Sequence, residues 1–193
     1  MKIIFLSVVL LFAAVASAQE AGVGPAMTYI EKGYFTVEIP AGWLKADVAF
    51  GLSQEKKKVY GANFLAASDS DGLAPRISVH YYAQGNLLHK TADKFIRTHS
   101  EPVLGATDDG RYYSPVKKGL VGKYHAKVFE CNTFEYIPPE SIDQKKIPVY
   151  EKFAVVPAKA GFYVLSLYSP METSKANLKA YKSVLASFKA LVR

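Results

Sequence analysis

GFYVLSLYSPMETSKANLKAYKSVLASFK, Gly161 to Lys189, is the stretch whose reading decides the fold. Its first part, Phe162 to Tyr168, is apolar on both sides of a period-two pattern, as in a strand covered on both faces. Ser169-Pro170 then ends the run. Leu178, Tyr181, Val184, Leu185 and Phe188 follow at three- and four-residue spacing, while Lys175, Lys179, Lys182 and Lys189 fall elsewhere, so the tail predicts an amphipathic helix. Ser169, Pro170 and Glu172 match a capping box and predict the helix start there. A strand buried on both faces needs a layer on each side.

Outward from this stretch, period-two runs recur between turn signals. Phe35, Val37 and Ile39 alternate against Tyr34, Thr36 and Glu38 before Pro40-Ala41-Gly42. Lys58 to Ala67 reads as a second strand, and Arg76 to Ala83 as a third with Ile77, Val79 and Tyr81 inward. Thr91 caps a short predicted helix with Ala92, Phe95 and Ile96 on one side, ended by Pro102. A short extended piece is expected over 111–116 and a long strand over 123–136. The segments 148–156 and 162–169 form a hairpin across Ala158-Lys159-Ala160-Gly161. Strands joined by turns rather than crossover helices favour antiparallel pairing. The expected fold is therefore α/β (α+β), an α/β/α sandwich with a central antiparallel sheet.

The chain opens MKIIFLSVVLLFAAVASA. Lys2, an apolar run over Ile3 to Val15 and the small-x-small pattern Ala16-Ser17-Ala18 predict a signal peptide over 1–18, cleaved near Ala18. The run is shorter than the roughly 20 apolar residues of a spanning helix. The expected organisation is a signal peptide (1–18), an N-terminal linker (19–30) and a single domain (31–193), with a product exported to the periplasm or secreted. No cysteine follows the cleavage pattern, so no lipid anchor is expected there. The formal charge is +7, or +6 without Lys2, from scattered lysines plus a cluster at Lys56-Lys57-Lys58. An exported protein of this kind reads as having a solvated basic surface, with an acidic partner or an anionic membrane surface as the alternative, and not as a nucleic-acid binder.

Cys131 is the single cysteine, so no internal disulfide forms, and within a strand-like run it reads as an inert buried thiol. Asp69-Ser70-Asp71-Gly72 begins like a calcium loop, but the twelfth position is His80 instead of glutamate, so a turn is expected, with Asp69 and Asp71 the candidates for divalent-cation binding. His80 and His125 lie on predicted strands and join those metal candidates if the strands are neighbours. There is no G-x-S-x-G, P-loop, G-x-G-x-x-G or H-E-x-x-H. No catalytic residue or cofactor is assigned. The thirteen tyrosines cluster on strands, and Tyr81, Tyr82, Tyr112 and Tyr113 are the candidate contact surface for a partner.

GYFTVEIPAGW, Gly33 to Trp43, together with the closing strand, Ser-Pro turn and last helix, resembles the PsbP-like family (PsbP and DcrB type), covering the two ends of the chain well. The matching residues are Gly33, Pro40, Gly42, Trp43, Ser169, Pro170 and Phe188, all fold-forming. The resemblance implies the same α/β/α sandwich and an accessory or interaction role without catalysis. The expectation is a non-enzymatic exported accessory protein binding a protein partner in the cell envelope. The alternatives are a periplasmic small-ligand or divalent-metal binder, then a hydrolase with an unrecognised site.

Overall fold

The structure is a computed structural model, describing residues 25–46, 51–69, 72–102, 110–138 and 143–192. The expected signal peptide lies outside them. In chain order the described elements are β1 (Met27–Glu31), β2 (Phe35–Ile39), β3 (Leu44–Lys45), α1 (Gln54–Lys57), β4 (Val59–Leu65), β5 (Arg76–Ala83) and α2 (Ala92–Ser100). There follow β6 (Tyr112–Tyr113), β7 (Lys117–Val121), β8 (Tyr124–Ile137), β9 (Lys145–Ala158), β10 (Gly161–Pro170), α3 (Ser174–Ser187) and β11 (Lys189–Ala190). The large sheet runs β3-β4-β5-β10-β9-β8-β6, with β7 also paired to β8, and its pairings are antiparallel. A small sheet, β1-β2-β11, lies beside it.

The expected sandwich is the observed one. β10 sits at the middle of the sheet, and its alternation divides two apolar layers. Tyr163, Leu165 and Leu167 join Ile77, Val79, Tyr81, Phe64 and Val156 on one face. That face is covered by Tyr181, Val184 and Phe188 from the end of the chain, and by Phe35, Val37 and Ile39 of β2. On the other face Phe162, Val164, Val155, Phe153 and Phe129 meet Phe95 and Ile96 of α2. Each layer removes several large side chains from water, worth about 1.5–3 kcal/mol per side chain. At the Pro40–Trp43 turn, Gly42 takes φ 80, a left-handed conformation that suits glycine, and Trp43 enters the first core.

Two readings are corrected, and two strands appear that no reading anticipated. Residues 27–30, expected in the linker, belong to β1, which pairs with β2 from Met27–Ile39 to Glu31–Phe35. The expected capping box does not form: β10 continues through Pro170, and α3 starts at Ser174 after a turn, with no side-chain cap at Thr173. Proline is tolerated because β5 pairing has ended at Tyr168, while the Met171 amide still donates to the Pro148 carbonyl at 2.9 Å. Ser169 is fully buried and instead accepts from the Asn177 side chain at 2.9 Å, tying helix to strand. β7 and β11, both unforeseen, complete the β8 hairpin and the small sheet.

A groove beside the second helix

The tyrosine candidates do not form one surface. Tyr81 is 2 % exposed and packs in the first core, where its hydroxyl donates to the Ala160 carbonyl at 2.7 Å. Tyr82 points to the opposite face, half-buried and stacked on Phe162 with ring centroids 4.9 Å apart. Adjacent strand residues must diverge in this way. β6, which carries exposed Tyr112 and half-buried Tyr113, is separated from β5 by β10, β9 and β8. The contact surface expected from the two pairs is therefore split across the sheet.

The histidine pair is split likewise, because β5 and β8 are separated by β10 and β9. His80 is partly buried. Desolvation, then the nearby Lys57 and Arg76 charges, lower its pKa to about 4. Asp69 accepts the Leu73 amide at 2.9 Å while its own amide donates to Leu73, the geometry of a carboxylate closing its own turn. Asp71 lies outside the described residues. Among the described residues no group of three or more histidine, cysteine or carboxylate side chains is placed to hold a metal ion. Cys131 is buried, and its thiol is pushed up to about 12 by burial and then by Glu151 and Glu130.

A groove of about 600 Å³ opens between α2 and the β7–β8 hairpin. Its apolar wall comes from Ala92, Ile96, Val155 and Pro157. The sequence builds it from small or flat residues at the edge of the second core, where α2 no longer covers the sheet. Polar and charged groups stand around it: Lys118 of β7, Lys127 and His125 of β8, and Asp93 of α2. Lys127 donates to Asp93 at 2.7 Å, bridging helix and strand. Both members are largely exposed, so the pair positions side chains more than it stabilises the fold. Gly119 lets β7 lie close to β8, since a Cβ there would come 2.9 Å from Val128 Cγ1.

Beyond the other end of α2 the same face carries a polar row. The Arg76 guanidinium lies over Tyr168, 5.0 Å from the ring centroid, and Thr133 donates to Glu151 at 3.0 Å. Burial raises the Glu151 pKa, partly offset by Thr133, His99 and Arg76. Neither the groove nor this row was foreseen. Each gathers residues from strands distant in the chain, and the only local signal for the groove was the β-compatible but non-alternating Lys117-Lys118-Gly119-Leu120-Val121.

No family model and no curated protein matches the chain. Solved structures do. Cyanobacterial PsbP from Synechocystis is 14 % identical with a TM-score of 0.53, covering 91 % of this chain and 98 % of that one. LpqN of Mycobacterium tuberculosis, described as involved in cell envelope biogenesis, is 13 % identical at TM-score 0.44, covering 86 % of each chain. A Bacteroides thetaiotaomicron protein is 12 % identical at TM-score 0.45, with 86 % of this chain matched to 49 % of that one. The likeness to PsbP shows a PsbP-like fold. Among the described residues no helix is long and apolar enough to cross a membrane.

Proposed function

We propose that this chain is an exported, non-enzymatic accessory protein that binds a protein partner in the cell envelope through the groove beside α2. The observation that carries the reading is the groove itself: an apolar floor from Ile96, Val155 and Pro157 with Lys118, Lys127 and Asp93 around it. An apolar centre with a charged rim is the anatomy of a protein interface. Export rests on the first eighteen residues, and the accessory role on the resemblance of the two chain ends to PsbP-like proteins, in keeping with the fold.

A photoreactive amino acid placed at Lys118 should give an adduct of one defined mass in envelope extracts. The same group at Lys175, exposed on α3, should not. Ala92→Trp, which fills the groove, and Lys118→Glu should each remove the adduct. Equal adducts at both sites, or no effect of Ala92→Trp, would sink the groove as the partner site. The volume also falls within the usual range for small-molecule sites, about 300–1,000 Å³, which favours a small ligand as the second reading. Retention of a small molecule by the purified chain, lost on Ala92→Trp, would select it.

A further inference from the structure

One end of the large sheet carries two adjacent exposed leucines among lysine-bearing segments. It is formed by the C-terminus of α1, the segment between β5 and α2, and the β9–β10 turn. Leu87 and Leu88 are 63 % and 51 % exposed there. Two adjacent leucines held in water lose the hydrophobic stabilisation they would have if buried. They are also held firmly. Buried Asn86 donates to the Ala83 and His89 carbonyls at 3.0 and 2.7 Å, and accepts the Leu88 and His89 amides at 3.1 and 2.7 Å. The Leu87 amide donates to the Lys57 carbonyl at 3.0 Å. The display is thus fixed by hydrogen bonds on both sides of the pair.

Lysines stand on the segments that adjoin it. Lys56 and Lys57 close α1, and the Ala83 amide donates to the Lys58 carbonyl at 3.0 Å. Lys58 takes φ 55, a conformation glycine adopts at lower cost, and its Nζ lies 3.7 Å from where a Gly85 Cβ would stand. Lys90 and Lys159 line one hollow with Gln84 and Asn86. Glu55 in α1 is a carboxylate at this end, and Asp93 is engaged by Lys127. Exposed aliphatic side chains ringed by lysine are the pattern of a surface that inserts shallowly into lipid while its cations meet anionic headgroups.

We infer that the Leu87-Leu88 segment with Lys56, Lys57, Lys58, Lys90 and Lys159 docks this protein on membranes containing anionic phospholipid. The site is separate from the groove, although α2 begins beside both, so a docked protein keeps its groove open to a partner held at the same membrane.

The test is vesicle flotation with the chain from Gln19 onward, which keeps every described element, all of which lie between Met27 and Ala190. Vesicles of phosphatidylcholine with about one third phosphatidylglycerol should carry the protein, and pure phosphatidylcholine vesicles should not. The double variant Leu87→Ser/Leu88→Ser should weaken partitioning at least about tenfold. Lys58→Glu/Lys90→Glu should do the same, and raising salt about tenfold should mimic it. Both variants alter exposed side chains, and an unchanged circular dichroism melt confirms that the fold persists. Absence of binding to the anionic vesicles overturns the inference. So does binding that neither variant reduces, or a dimer in sedimentation that the leucine variant dissolves, which would make the surface a self-association site.

Discussion

The Tyr181 hydroxyl of α3 donates to the Leu165 carbonyl of β10 at 2.7 Å, a bond completely enclosed between the last helix and the middle strand of the sheet. Leu165 already lies within the ladders to β5 and β9. The tyrosine therefore uses the carbonyl's second lone pair to set the helix in register along the strand. Burial raises the Tyr181 pKa well above its ordinary value, which keeps the hydroxyl a donor throughout the accessible pH range.

Tyr181→Phe keeps the ring and removes this bond, while Leu165 retains its ladder partners. The expected cost is about 1 kcal/mol, read as a lower midpoint in urea at unchanged slope. Tyr181→Ala, which also empties the space between layers, should cost about 3–5 kcal/mol. Equal midpoints for the parent and the phenylalanine variant would show that packing alone holds the helix.

How much of this was legible in the sequence depends on the distance over which the signal acts. Alternation placed Phe35, Val37 and Ile39, and likewise Ile77, Val79 and Tyr81, on buried faces, because a half-covered strand imposes that pattern on its own residues. It also placed Tyr81 inward, which counted against a contact surface assembled from neighbouring tyrosines. The both-faces-apolar run of β10 correctly required a layer on each side. The helix start was misread because Ser169 and Pro170 satisfy a local capping pattern, whereas pairing with β9 extends the strand over them. The groove was invisible because Ala92, Lys118, His125 and Val155 meet only through strand order.

Cys131 of β8 is buried within the second core beside Glu151 of β9, with a thiol that burial, then Glu151, pushes up to about 12. At pH 8 almost none is thiolate, the reactive form. A thiol reagent should therefore label the native protein only at the slow rate of local opening, and label one equivalent promptly once denaturant unfolds it. Prompt stoichiometric labelling of the native protein would contradict this placement and reopen a chemical role for the residue.

His80 offers a pH test whose sign follows from its environment. Desolvation, with Lys57 and Arg76 adding to it, lowers its pKa from 6.5 to about 4, so the folded state holds the ring neutral while the unfolded chain protonates it earlier. A depressed folded pKa contributes stability that is complete above pH 6.5 and is lost as pH falls toward 4. Glu151 runs the other way: its raised pKa adds stability as pH falls, so the parent's profile alone mixes the two. His80→Gln removes one of them. The variant should unfold at nearly the parent's denaturant midpoint at pH 7.5 after a constant packing offset, and the parent should lose about 2 kcal/mol relative to it between pH 6.5 and 4. A difference that stays constant across that range would mean His80 titrates alike in the folded and unfolded chain, and that the lysine and arginine beside it are screened by water.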